Sequence, residues 1–274
     1  MPTVQTETGR LGVAEQGDGG VPIVFLHGVG SDISVWAPQL AHFSRARRAV
    51  ALDYPGYGDS DPAPDGTTRD DYASAVLAAM TALGIDRAHV CGLSLGGVVA
   101  IAMHQLAPER ITSLVLADTF AAHPDGRGIY ERSVAGSADL RAMAEGRVDV
   151  LLAQPADPAI RSAVVETMAR IDPAHYRIGA EAVWLADQAD RARAIAVPTL
   201  VVCGAEDKVT PPALSHELVE LIPGAHYVEI ARSGHLSNLE QPEEFNRIVD
   251  ERRSAGCTAG TYAPRLRRWR SCGR

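Results

Sequence analysis

Three residues in this chain have the types and spacing that nucleophilic acyl transfer needs: Ser94, Asp207 and His235. Ser94 lies at the centre of Gly92-Leu93-Ser94-Leu95-Gly96, between the apolar run His89-Val90-Cys91-Gly92 and a helical stretch that runs to about Ala107. A serine on a tight strand-to-helix turn is held in a strained backbone, and small residues two positions either side keep that turn from clashing. The turn also sets the hydroxyl at the positive end of the next helix, where developing negative charge is favoured. The plain alternative is a glycine-rich helix start with a capping serine. The strand before and the helix after favour a nucleophile.

A serine hydroxyl is a weak nucleophile and needs a base. Sites in open parallel sheets lie at the carboxyl ends of the strands. His235, in Ser233-Gly234-His235, follows the strand-like run 227–230, whereas His226 precedes that run and falls on the opposite edge. His42, His89, His104, His123, His175 and His216 read as surface or helix-flank residues. The base in turn needs a carboxylate to fix its tautomer and stabilise the imidazolium. Asp207, in Gly204-Ala205-Glu206-Asp207, follows the apolar run 199–203 at the same rim, with a turn or capping role as its plain alternative. Asp118, after the preceding strand, is the alternate acid. Donors for an oxyanion are expected from the N–H of Leu95 and from the loop His27-Gly28-Val29-Gly30, at the N–H of Val29. One such donor contributes roughly 3 kcal/mol to transition-state stabilisation. His27 itself reads as a structural hydrogen-bonder.

The elements that must position these residues follow from the apolar pattern. A hairpin is expected over 3–16, and strands over 21–26, 49–52, 89–92, 111–117, 199–203 and 227–230. Helices are expected over 69–83, after Ser94, after Pro211-Pro212 and after Pro242. Strands alternating with helices imply a mostly parallel α/β sheet with right-handed crossovers. From Phe120 to about Ala194 strands vanish and helical segments alternate with proline and glycine breaks. The expected organisation is therefore a sheet core from 1–119 and 195–251, a helical cap inserted at 120–194, and a loosely ordered tail at 252–274.

Bulk properties exclude several function classes. Hydrophobic residues at 46% and charged residues at 22% describe an ordinary globular chain. A formal net charge of −8 argues against general nucleic-acid binding. The end of the chain is locally basic, with seven arginines and no acid from Arg252 onward, but it shows no helical or repeat pattern. Lys208 is the only lysine. Neither a secretory leader nor an apolar run of ~18 residues is present, so no membrane association is expected. Cys91, Cys203, Cys257 and Cys272 have no metal-like spacing, and two of them sit in apolar runs. Reduced core thiols and a cytoplasmic location are the natural reading. No phosphate-binding loop, dinucleotide fingerprint or zinc pattern occurs, so no cofactor and no metal are expected. A homo-oligomer stays open.

These blocks resemble a known group. Leu26-His27-Gly28, the run Asp53-Tyr54-Pro55-Gly56-Tyr57-Gly58-Asp59-Ser60, Gly92-Leu93-Ser94-Leu95-Gly96-Gly97 and Ala107-Pro108-Glu109-Arg110 are similar to those of the α/β-hydrolase superfamily, in which the order serine, acid, histidine is the expected one. Within it, Asp207-Lys208-Val209-Thr210-Pro211-Pro212 and Gly234-His235-Leu236-Ser237-Asn238-Leu239-Glu240-Gln241-Pro242 resemble the 3-oxoadipate enol-lactonases. The resemblance implies a cofactor-free serine hydrolase that opens an enol-lactone in bacterial aromatic degradation. Such a substrate carries a free carboxylate, for which Arg132 is the first candidate, with Trp184 as a candidate pocket wall. The resemblance thins over the cap, which selects substrate, so other readings stay open. They are a carboxylesterase, a C–C bond hydrolase or a perhydrolase on the same scaffold, and a slow-turnover ligand-binding receptor.

Overall fold

The computed structural model describes residues 2–255. The chain opens with a hairpin of β1 (Thr3–Thr6) and β2 (Gly9–Gln16), turned at Glu7-Thr8 and closed by Gly9, whose φ of 128° lies in a region open to glycine. β2 pairs antiparallel with β4 (Ala49–Leu52), with Val13 opposite Leu52. From there every pairing is parallel. β3 (Ile23–Leu26), β5 (Ala88–Leu93), β6 (Ile111–Ala117), β7 (Thr199–Gly204) and β8 (His226–Ile230) complete an eight-stranded sheet in the order β1-β2-β4-β3-β5-β6-β7-β8. Every residue of β3, β4 and β7 is buried, because helices cover both faces of a parallel sheet. Those strands therefore read as continuous apolar runs.

Helices α1 (Ala37–Phe43), α2 (Arg69–Ala82) and α3 (Leu95–Leu106) pack on this sheet. Helix α2 starts at a capping box, in which the Thr68 hydroxyl accepts from the Asp71 amide and Asp71 accepts from the Thr68 amide. It ends one residue earlier than its apolar pattern suggested. α1 and the 3-10 turn Ile33–Trp36 before it were not legible, being too short to show a period.

Between β6 and β7 the chain forms five helices: α4 (Gly126–Gly136), α5 (Leu140–Leu151), α6 (Pro158–Met168), α7 (Pro173–Trp184) and α8 (Ala189–Arg193). Asp139, Asp157 and Asp172 cap α5, α6 and α7 through their carboxylates. The insertion is tied to the core by the Arg191–Asp70 ion pair at 2.5 Å and by the Gln188 side chain, whose Nε2 donates to the Val98 carbonyl at 2.8 Å. The chain then returns through α9 (Pro212–Leu221), β8 and the short α10 (Ser237–Glu240) to α11 (Pro242–Ala255). Residues 252–255, expected in the tail, continue α11, and the rest of the expected tail, with Cys257 and Cys272, lies outside the described residues. Cys91 and Cys203 are free thiols in the core. Among the described residues no helix is long and apolar enough to cross a membrane.

Candidate active site

Ser94 stands between the end of β5 and the first residue of α3 with φ 54° and ψ −115°. A non-glycine residue keeps such a backbone only where its surroundings over-determine it. Here the Ser94 amide donates to the Ala117 carbonyl at 3.0 Å, and the Thr119 hydroxyl donates to the Ser94 carbonyl at 2.8 Å. The flanking glycines are sterically required. A Cβ on Gly92 would overlap the Gly96 carbonyl, and one on Gly96 would overlap the Leu26 carbonyl. The pentapeptide is therefore the sequence cost of folding a serine turn directly onto the end of β3.

The side chains at the sheet's carboxyl rim form a continuous relay. His235 Nε2 lies 3.0 Å from Ser94 Oγ, and His235 Nδ1 lies 2.9 Å from Asp207 Oδ2. With Nδ1–H donated to Asp207, the Nε2 lone pair faces the serine hydroxyl, the tautomer that general-base action requires. Asp207 is held by the amides of Val209 and Thr210, which donate to Oδ1 at 2.8 and 2.9 Å, and by the Thr210 hydroxyl, which donates to Oδ2 at 2.7 Å. All three members of the relay are buried. Burial works to raise the Asp207 pKa, but the His235 charge and hydrogen bond, with the Thr210 donors, bring it below its ordinary value. For His235, burial works downward, and the charge and hydrogen bond of Asp207 overrule it, so its pKa is raised.

Asp118, the alternate acid, is equally deep but takes its hydrogen bonds from other groups. Its Oδ1 accepts from the Gly204 amide at 2.8 Å, and its Oδ2 lies 2.5 Å from the Ser237 hydroxyl. Burial, reinforced by the Asp207 charge, pushes its pKa up to about 8, so at neutral pH it holds its proton and adds no second full charge beside the relay. His226 begins β8 and lies at the opposite end of the strand from the Ser233-Gly234-His235 loop.

The loop after β3 runs alongside the serine, since a Cβ on Gly28 would sit 3.4 Å from Ser94 Cβ and 3.8 Å from its Oγ. His27 holds that loop from beneath. Its Nδ1–H donates to the Gly28 carbonyl at 2.8 Å, its Nε2 lies 3.4 Å from Asp53 Oδ1, and burial lowers its pKa to about 4, which keeps it neutral. Asp53 Oδ1 accepts from the Ile33 amide at 2.9 Å. His27 is thus a structural hydrogen-bonder, as its position suggested.

A cavity of about 140 Å³ opens over Ser94 and His235, and Val29 and Trp184 line it. Much of its apolar wall comes from the insertion, through Leu151, Val164 and Met168, and the rest from the core, through Val35, Leu236 and Leu239. Trp184 is stacked at 5.8 Å on Phe120, which fixes its ring. Arg132 is not in this wall. It is exposed and paired at 2.6 Å with Asp125, the residue just before α4, whose carboxylate holds it outside. The arginine that lines the cavity is Arg147 on α5, half-buried, with only a long 3.5 Å contact to the Tyr176 hydroxyl and no ion pair among the described residues. A signal for it exists in the sequence. Leu140, Ala144 and Val148 form the buried stripe of α5, and Arg147 interrupts that stripe three residues after Ala144.

Asp118, Cys203 and Asp207 bring ligand-type atoms within 4.8 Å of one another. They do not suit a metal. Both carboxyls already accept amide and hydroxyl hydrogen bonds, and burial pushes the Cys203 thiol up, against the thiolate a metal needs.

The sequence profile of the alpha/beta hydrolase family matches residues 23–248. The chain belongs to that family. Among relatives of this alpha/beta hydrolase, 3-oxoadipate enol-lactonase 1 of Acinetobacter baylyi is 30% identical over 230 residues, covering 82% of this chain and 86% of the relative. A putative carbamate hydrolase, RutD, of Enterobacter cloacae is 28% identical over 243 residues, covering 85% of this chain and 91% of the relative. The crystal structure of an enol-lactonase from Burkholderia xenovorans superposes with a TM-score of 0.85 at 29% identity, covering 92% of this chain and all of that one. Family membership and the hydrolases among these relatives make the chain a hydrolytic enzyme.

Proposed function

We propose that this alpha/beta hydrolase opens a small lactone bearing a free carboxylate, 3-oxoadipate enol-lactone or a close analogue, through an acyl-enzyme on Ser94. The observation that carries the reading is the Ser94–His235–Asp207 relay at the floor of a cavity whose wall holds one arginine without an acidic partner. Ser94 Oγ attacks the lactone carbonyl as His235 Nε2 takes its proton. The N–H groups of Leu95 and Val29 receive the oxyanion. When the ring C–O bond breaks, the enol oxygen leaves with the proton from His235 and the enol becomes a ketone. Water, deprotonated by His235, then attacks the acyl-serine and releases the acid. Asp207 stays ionised throughout and stabilises the imidazolium. Arg147 pairs with the substrate carboxylate, the role first expected of Arg132, and the insertion between β6 and β7 acts as the cap that selects substrate.

A role in aromatic catabolism goes with this reading and is supported by the resemblance to enol-lactonases, and the free core cysteines fit a cytoplasmic enzyme. A second reading is favoured by the apolar character of most of the cavity wall, which suits a neutral acyl group and hence a carboxylesterase. Steady-state hydrolysis of 3-oxoadipate enol-lactone beside short aryl esters separates the two. Preference for the lactone supports the proposal. Good ester turnover with poor lactone turnover overturns it in favour of the second reading, and near-zero turnover on both would point to a binding protein.

A further inference from the structure

The relay depends on where the His235 backbone is held, and the described contacts show what holds it. On one side the loop is fastened to the acid-bearing segment: the Ala205 amide donates to the Ile230 carbonyl and the Glu206 amide to the Ser233 carbonyl, both at 2.9 Å. On the other side it is fastened to the insertion. The His235 amide donates to the Leu151 carbonyl, at the last residue of α5, at 2.7 Å. Gly234 permits that approach, since a Cβ there would lie 2.6 Å from the Leu151 carbonyl oxygen and 2.9 Å from the Ala153 nitrogen.

One side chain closes this junction. Glu240, at the end of α10, accepts from the Gly234 amide through Oε1 at 2.8 Å and from the Ala153 amide through Oε2 at 2.7 Å. Its two oxygens thus staple the residue before His235 to the segment just past α5. Hydrogen bonds to an ionised acceptor are about twice as strong as neutral ones, and neither amide has another acceptor here to replace it. The same helix carries Arg147 into the cavity one turn before its end.

We propose that Glu240 is a positioning residue, which locks the histidine loop to the end of α5 and so keeps His235 in register with both Ser94 and the Arg147 side of the cavity. The inference rests on His235 being the base. Glu240 touches no reacting atom, so its contribution is to the rate of the chemical step and not to substrate affinity.

The test is Glu240→Gln in the full chain. Glutamine keeps the shape but offers one acceptor oxygen, and its NH₂ must face one of the two amide donors. The expected result is a kcat per active site lowered about ten- to a hundredfold, as for a base displaced by a fraction of an ångström. KM on a short aryl ester should stay within about twofold, because the ester's contacts in the cavity are retained. Active sites are counted by titration with a fluorophosphonate, so loss of folded protein is not mistaken for loss of rate. In wild type the proton on His235 Nδ1 should give a strongly deshielded NMR resonance, and in Glu240→Gln it should broaden. Should Glu240→Gln not fold, Glu240→Asp, which keeps the charge but is one methylene too short to span both amides, carries the same expectation. A wild-type kcat per titrated site, even with a lowered melting temperature, overturns the inference. His235→Ala, assayed beside it, separates the two claims: full activity there would overturn the base assignment itself, whereas its inactivity beside a fully active Glu240→Gln overturns only the role of Glu240.

Discussion

His235 Nδ1 lies 2.9 Å from Asp207 Oδ2, while Asp118, just as buried, gives its two oxygens to the Gly204 amide and the Ser237 hydroxyl. Two carboxyls thus stand beside one imidazole with opposite assignments. One is pulled down by the imidazolium, and the other is driven up to about 8 by burial. Asp207→Asn should reduce kcat by ~10⁴, the cost of the wrong tautomer in such triads. Asp118→Asn should cost far less, because a neutral amide resembles the protonated carboxyl it replaces. Steady-state kinetics on any turned-over ester checks this, and the reverse ranking would make Asp118 the working acid.

The pH dependence follows from His235. The base must be neutral, and Asp207 raises its pKa, so kcat/KM should rise with pH through a midpoint above the ordinary 6.5. Activity is lost on the acid side as the imidazole takes up its proton. In Asp207→Asn the larger raising causes are gone and only the Asp118 charge opposes burial and the Arg147 charge, so the residual activity should titrate at a lower midpoint than in wild type. A pH–rate profile of both proteins shows the shift or its absence.

Arg147 and Arg132 make a paired test of where the substrate carboxylate goes. Arg147→Met should raise KM for a carboxylate-bearing lactone about ten- to a hundredfold, as removing one charge-assisted hydrogen bond does, and leave KM for a neutral ester nearly unchanged. Arg132→Met should change neither, since that side chain is exposed and paired with Asp125 outside the cavity.

The glycines around Ser94 can be tested by stability. Gly96→Ala drives a Cβ into the Leu26 carbonyl, and it should lower unfolding free energy by about 1–3 kcal/mol. Gly146→Ala is the control. It lies within α5 with nothing within 4 Å of its Cβ position, and should stabilise by about 0.5–1 kcal/mol. Urea unfolding of the two variants gives both signs.

Much of this was legible in the sequence where a physical constraint acts locally. β4 falls at 49–52 as read, because a strand buried on both faces leaves an unbroken apolar run bounded by turns, and β6 falls at 111–117, where the buried run Leu114-Val115-Leu116-Ala117 carries the same signal. Ser94, Asp207 and His235 could be picked out because each follows the carboxyl end of a parallel strand, and the fold then brings them within hydrogen-bonding distance. Arg132 and Arg147 show where this stops. Both sit on inserted helices of similar length; the stripe that Arg147 interrupts marks it as facing inward, but which helix meets the cavity depends on how α4 and α5 pack. Glu240 was read only as part of a resembling segment. Its two amide partners lie 6 and 87 residues away, and the second becomes visible only once α5 is laid against the histidine loop. The short α1 and α10 escaped for the simpler reason that a helix of one or two turns shows no period.

The most direct test of the account is steady-state hydrolysis of 3-oxoadipate enol-lactone by wild-type protein and by Ser94→Ala at equal folded concentration. The account predicts kcat/KM at or above ~10⁴ M⁻¹s⁻¹ for wild type. It also predicts a fall of about 10⁶ in kcat for Ser94→Ala, down to the residual rate that binding and oxyanion donors sustain, with the fold unchanged by circular dichroism. Retention of most of the activity by Ser94→Ala would contradict it, since the reaction would then proceed without the serine on which every other assignment rests.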